Sequence, residues 1–195
     1  MIAAAAGQEE KRLSTNAKFL VLTGPSGAGL GEIVEKLFAA RDDVTSVVPV
    51  TARKMKAGEV DGIGFHFYDL DGWNALKESG DLLEATEFAG NDYGTSRRLV
   101  EEQLSAGKHV VLSLEAARAV QIKQNMPEAI CIFITPSTPQ RLQALYEATA
   151  RSRFEVTARM ELAEKESELA RFCDATVYSD NEEGAVNALS LLLGN

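Results

Sequence analysis

The chain has 195 residues, 45% of them hydrophobic and 25% charged, with 20 basic against 29 acidic side chains and a formal charge of −9. That composition suits one soluble domain, or one core with a small inserted lobe. It excludes a general binder of nucleic-acid polymers, whose phosphates are held mostly by Lys and Arg, but not a local basic pocket for one small phosphate ligand.

Residues 1–17 read as a disordered tail: the apolar stretch at the start is too short for an export signal, and acids follow it. No run approaches the ~18 apolar residues of a membrane span, so membrane insertion is not expected and the predicted location is the cytoplasm. Residues 18–23, KFLVLT, form a short apolar strand that ends at GPSGAGLG. Ile33, Val34, Leu37 and Phe38 then recur at helical spacing. The opening is therefore strand, glycine loop, helix.

The segment 47–97 breaks this pattern with turn signals and extended pieces, and reads as a small antiparallel lobe. Asp71 is expected to cap a helix around Trp73–Ser79. Gly80 and Gly107 suit left-handed positions after helices. Apolar runs at 110–114 (VVLSL) and 129–134 (AICIFI) flank a helix from Ala116 to Gln124. Thr138 before Pro139 is an N-cap followed by proline in the first turn. Residues 153–171 favour a helix, and a last helix spans roughly 181–193 with Val186, Leu189, Leu192 and Leu193 inward. Alternating buried strands and helices predict an α/β fold with a parallel sheet. The two cysteines, Cys131 and Cys173, are read as buried thiols rather than a bridge, which points to a reducing compartment.

Gly24, Pro25, Ser26, Gly27, Ala28 and Gly29 have the spacing of the first six positions of the phosphate loop G-x-x-x-x-G-K-[ST]. In such a loop, backbone N–H groups form an anion nest at a helix N-terminus. The lysine position here holds Leu30 and the hydroxyl position holds Gly31. Lysine supplies charge to the β- and γ-phosphates, and the hydroxyl is a Mg²⁺ ligand. Losing both, acting together, costs roughly 10⁴–10⁶ in rate, or about 5–8 kcal/mol of barrier. Alternatively, the glycines serve only a tight strand-to-helix turn.

With that loop, four further stretches carry a resemblance: TARKMKAGEVDGIGFHF (51–67), GDLLE (80–84), GNDYGTS (90–96) and AGKHVVLSLE (106–115). In order and spacing they resemble guanylate kinases from about residue 18 to 193. The resemblance implies a nucleoside monophosphate kinase fold with a parallel core sheet flanked by helices. The core is residues 18–46 and 98–195, the GMP-binding lobe 47–97 and the helical lid about 137–158. By position, Arg53 and Tyr93 match phosphate-holding residues, Lys56 replaces a second arginine, and Phe65 replaces a tyrosine. Glu84 matches the acid that reads guanine, a base with two adjacent donors on that edge, and Thr95 matches a hydroxyl beside it. Glu115 is what remains of a two-acid pattern, its first position being Ser113. Arg151, Arg153 and Arg159 are the lid candidates. Each residue also has a plain structural reading: surface cations, a helix-end acid, a packed tyrosine, or, for Thr95, the cap of a helix starting near Arg97.

Pro49, within VPVTAR, is similar to the proline of guanylate-kinase-like domains in membrane-associated scaffolds, where the enzymes usually carry serine. Its fixed φ can stiffen the lobe's hinge, or it can be an ordinary edge proline. Together Leu30, Gly31, Ser113 and Pro49 favour a pseudoenzyme that keeps part of a site for GMP or a phosphorylated peptide. An active kinase, which alone would require ATP and Mg²⁺, is the alternative, with Lys165 as a conceivable displaced cation. A purely structural or interaction module is the third reading.

Overall fold

The computed structural model describes residues 16–194. All but the last two residues of the expected disordered tail lie outside that range. Two compact units emerge, one formed by residues 45–110 with the segment up to Phe19, the other by Leu20–Val44 and residues 111–194.

The second unit is built on a five-stranded sheet. Its strands are β1 (Phe19–Thr23), β2 (Val44–Thr45), β7 (His109–Ser113), β8 (Ile130–Thr135) and β9 (Ala175–Tyr178), in the order β2-β7-β1-β8-β9. β1 pairs in parallel with β8, and β8 with β9. Parallel strands need crossovers, and here these are helices: α1 (Leu30–Ala40), α4 (Ala116–Asn125), α5 (Pro139–Thr149), α6 (Arg153–Leu169) and the terminal α7 (Glu182–Leu193). Leu20, Leu22, Ile132 and Ile134 from the sheet pack against Ile33 and Leu37 of α1 and Leu189 and Leu193 of α7. The α/β class and parallel core expected from the sequence are what the chain adopts. Thr138 caps α5, its side chain accepting from the Arg141 N–H at 3.3 Å, with Pro139 in the first turn.

The first unit carries a four-stranded sheet, order β4-β3-β6-β5, from β3 (Val50–Thr51), β4 (His66–Phe67), β5 (Leu82–Phe88) and β6 (Asn91–Ser96). It also holds the helices α2 (Leu70–Glu78) and α3 (Arg97–Ser105). This sheet is mixed rather than purely antiparallel, because β3 runs parallel to β4, joined by the His66 N–H to the Pro49 carbonyl at 2.9 Å. β5 and β6 form a hairpin turning on Ala89 and Gly90, both with positive φ, as a two-residue primed turn requires. Trp73 of α2 is fully buried, and no room exists for a side chain at position 94, where a Cβ falls 2.7 Å from the Glu84 carbonyl oxygen.

The cap of α2 corrects one expectation. Asp69, not Asp71, accepts from the Gly72 N–H at 2.8 Å, so the helix starts earlier and Asp71 falls in its first turn. Two acids two residues apart both suit a helix N-terminus, and only the chain's exit from β4 decides between them. Cys173 is a second correction: it is half-buried, because the 3₁₀ turn Ala170–Phe172 delivers it to the sheet edge rather than the interior.

Gly24 tests how tightly the turn after β1 is held. A Cβ there falls 1.9 Å from the Ile134 carbonyl oxygen, which is backbone of β8 and cannot swing away. Gly24→Ala is expected to destabilise the chain by about 3 kcal/mol or more in urea unfolding, whereas Gly31→Ala, with open space around its Cβ, is expected to stay within about 1 kcal/mol of the parent.

Candidate functional site

In the first unit, four of the sequence candidates form two pairs, Glu84 with Thr95 and Arg53 with Tyr93. β5–β6 pairing sets Glu84 opposite Thr95 and Thr86 opposite Tyr93. Glu84 is 1% exposed and Thr95 3%, and the Thr95 hydroxyl donates to Glu84 Oε1 at 2.7 Å. A carboxylate this deep needs hydrogen-bond donors, and a ligand with adjacent N–H groups supplies more of them. Thr95 is not a helix cap. That role falls to Ser96, whose hydroxyl accepts from the Leu99 N–H at 3.3 Å and donates to Asp81 at 2.6 Å. Asp81 also accepts from the Arg98 N–H at 2.8 Å, so it braces the start of α3 and, with it, the end of the strand that carries Thr95.

Arg53 is not a loose surface cation, since its side chain is 10% exposed. Its guanidinium forks onto Glu59, at 2.7 and 2.5 Å, and donates to the Lys54 carbonyl at 3.1 Å. It lies 5.0 Å from the ring centres of both Phe65 and Phe67 and within hydrogen-bonding reach of the Tyr93 hydroxyl. Phe65 stands tilted against Tyr93 at 5.5 Å. The phenylalanine without a hydroxyl therefore still works as a wall that fixes Arg53 and Tyr93 side by side. Lys56 is exposed, and its backbone N–H, rather than its ammonium, joins the cluster by donating to Glu59 at 2.7 Å.

Glu59 is the residue that sequence reasoning passed over. It stands inside the quoted string at 51–67, but only the fold shows that it grips Arg53. The Arg53 fork first, then the Lys56 N–H, hold its carboxyl down at about 2.

The second unit carries the glycine loop. Gly27 and Gly29 have φ of 80° and 89°, conformations that favour glycine. The Ala28 N–H turns back to the Pro25 carbonyl at 3.0 Å, and Gly29 is the N-cap of α1. Ala28 is fully buried among Leu142, Tyr146 and Ala163, which clamps the loop against α5 and α6. Leu30 turns inward and packs against the core cluster of Leu20, Leu22 and Ile33, while Gly31 is exposed with open space around it.

Of the three candidate arginines, Arg159 reaches the loop. Its Nη2 lies 2.6 Å from where a Cβ of Gly27 would stand. The guanidinium is held 4.1 Å from the ring centre of Tyr146 and donates to the Thr149 hydroxyl at 3.0 Å. Arg151 and Arg153 are exposed around the start of α6, the Arg151 N–H donating to Glu155 at 2.9 Å. Lys165 is exposed on α6. Glu115 sits at the start of α4, exposed. Beside the loop stands Glu166, whose carboxyl accepts from the Ser26 backbone N–H. Burial first, then the charge of Glu115, push that carboxyl above its usual range. Tyr146 and Glu166 also escaped the sequence reading, because their proximity to the loop arises only when α5 and α6 pack together.

Comparison with known proteins puts this pair of sites in context. The guanylate kinase family profile matches residues 16–194. A guanylate kinase of Trichormus variabilis is 35% identical over 184 residues, covering 94% of this chain and 92% of that protein. Guanylate kinases of Prochlorococcus marinus and Desulfitobacterium hafniense are 36% and 34% identical, covering 91% and 89% of this chain and 94% and 88% of theirs. The crystal structure of a guanylate kinase from Anaplasma phagocytophilum superposes with a TM-score of 0.62 over 93% of this chain and 87% of that one, at 24% identity, and so shares its fold.

The Arg53–Glu59 fork has a direct readout. A carboxyl depressed in the folded state contributes stability above its ordinary value near 4.5 and loses it as pH falls toward 2. An NMR titration of the Glu59 side chain is expected to give a midpoint near 2, returning toward the ordinary range in Arg53→Ala. A wild-type midpoint near 4 contradicts the fork.

Proposed function

The chain belongs to the guanylate kinase family, and we propose that it transfers the terminal phosphoryl group of ATP to GMP, with an acceptor site that keeps Arg53, Tyr93, Glu84 and Thr95 and a slowed donor side. A phosphate oxygen of GMP attacks the γ-phosphorus of ATP. The new P–O bond forms as the bond to the β,γ-bridging oxygen breaks, giving GDP and ADP. At neutral pH the attacking phosphate is already largely ionised, so the protein's task is positioning and charge neutralisation rather than proton removal.

The observation that carries this reading is the buried Glu84–Thr95 pair. Guanine presents N1–H and a 2-amino group as neighbouring donors to such a carboxylate. Adenine presents a lone pair at N1 and no amino group there, so it leaves the buried acid facing an acceptor. Arg53 and Tyr93 are the groups for the GMP phosphate, with Glu59 presetting the guanidinium. On the donor side, the loop N–H groups cradle the phosphates, and Arg159 supplies the cation that position 30 lacks. Gly31 has no side-chain oxygen to offer a magnesium ion that would accompany ATP.

Similarity to proteins named guanylate kinase over about nine-tenths of their length supports this active reading over the pseudoenzyme expected from the loop alone. A second reading retains one specific support: Leu30 is spent on core packing and Gly31 offers no ligand. On it, Arg53 and Tyr93 hold GMP or a phosphorylated peptide without transfer.

A coupled assay with ATP and GMP, beside calorimetric titration of GMP, decides between them. GDP formation below the ~1–100 s⁻¹ typical of kinases is expected. GMP binding without GDP selects the second reading, and neither heat nor GDP removes both. Glu84→Ala is expected to weaken GMP by roughly 30–100-fold while leaving AMP unchanged. Equal losses for both nucleotides would show that the base is not read there. Leu30→Lys with Gly31→Ser is expected to raise turnover by roughly 10²-fold or more, and an unchanged rate means that Arg159 already supplies what the loop needs.

A further inference from the structure

The chain's two cysteines meet outside both sites. Cys131 lies in β8, and Cys173 lies between the 3₁₀ turn and β9. Parallel pairing sets Ile132 beside Ala175. One step back, the Asp174 N–H donates to the Cys131 carbonyl at 2.8 Å, and the Cys131 N–H donates to the Asp174 carboxylate at 2.8 Å. Cys173 is the residue just before Asp174, at the bend between the 3₁₀ turn and β9, where the side-chain alternation of the strand does not apply. The two side chains are already within hydrogen-bonding reach of each other.

The two thiols are not equivalent. Cys131 is 1% exposed, whereas Cys173 is half-buried and open to a small oxidant. The hydrogen bond with Cys131 holds the Cys173 thiol below its ordinary value, with the Lys123 ammonium acting in the same direction and burial and the Asp174 carboxylate acting against them. The same hydrogen bond and burial push Cys131 up. Cys173 is therefore the more acidic and the more accessible sulfur of the two.

We propose that Cys173 and Cys131 are a reversible oxidation site, in which Cys173 is attacked by hydrogen peroxide and Cys131 resolves the product as an intrachain disulfide. The Cys173 thiolate takes one peroxide oxygen: an S–O bond forms, the O–O bond breaks and hydroxide leaves, giving a sulfenic acid. The Cys131 sulfur then attacks the Cys173 sulfur. An S–S bond forms, the S–O bond breaks, and the oxygen leaves as water with the Cys131 proton. Each sulfur gives up one electron, and the two electrons reduce the peroxide. A low-molecular-weight thiol reverses the bridge, which is the behaviour of redox-sensing pairs in reducing compartments. The closed loop contains α5 and α6, so its ends are tied where α6 hands over to β9.

The full chain, reduced and then exposed to a small excess of hydrogen peroxide, tests this. Both thiols should vanish from a thiol count, the intact mass should fall by two hydrogens without dimer formation, and dithiothreitol should restore both. The bridge should raise the melting temperature by ~5 °C or more, since it restricts the unfolded chain. Cys173→Ser should lose its remaining thiol at least ~10-fold more slowly, and Cys131→Ala should yield a dimedone adduct on Cys173. Peptide mapping of the oxidised wild type locates the cross-link whether or not Cys131→Ala folds. Gain of oxygen without a bridge, a bridge between two chains, or unchanged oxidation in Cys173→Ser overturns the proposal.

Discussion

The glycine-loop side of this protein depends on a contact that admits no side chain. At Gly24 the backbone leaving β1 comes against the Ile134 carbonyl of β8, leaving no volume for a Cβ. That contact fixes where the chain turns off the sheet and where α1 begins. Gly27 and Gly29 then take left-handed conformations, and Ala28 drops into the apolar cluster under α5 and α6. The loop's shape resides in glycines and packing, while position 30 carries a leucine that packs against the core and position 31 a glycine with open space around it.

The lobe follows another logic. Its sheet register, rather than a loop, places Glu84 on Thr95 and brings Tyr93 beside Arg53. A carboxylate with 1% exposure is costly to keep unless a hydroxyl and further donors attend it. Arg53 is likewise over-determined, gripped by Glu59 and walled by two phenylalanines. Side chains locked this way lose little freedom when a ligand arrives.

Much of this was legible in the residues. Glycine spacing, the strand before it and the helical pattern after it announced the loop, because few sequences satisfy all three constraints together. Arg53, Glu84, Tyr93 and Thr95 stood in strings long enough to carry a resemblance. What stayed hidden came from packing between distant segments. Arg159 is one of three arginines with equal claim in the sequence, and only the seating of α6 on α5 selects it. Glu59 was visible as a letter but not as a partner. Asp69 and Asp71 were interchangeable as caps until the chain's path fixed the helix start.

Arg159 stands in a different mechanical relation to the loop from a lysine on α1. A lysine there would be anchored, present whenever the loop exists. Arg159 is hinged: it is presented from α6, braced on Tyr146, and reaches Gly27 only while the cluster of Ala28, Leu142, Tyr146 and Ala163 stays closed. Electrostatics at the loop thereby becomes a function of apolar packing. Cooling, pressure and cosolvents, which act on hydrophobic burial, acquire leverage over where a guanidinium stands.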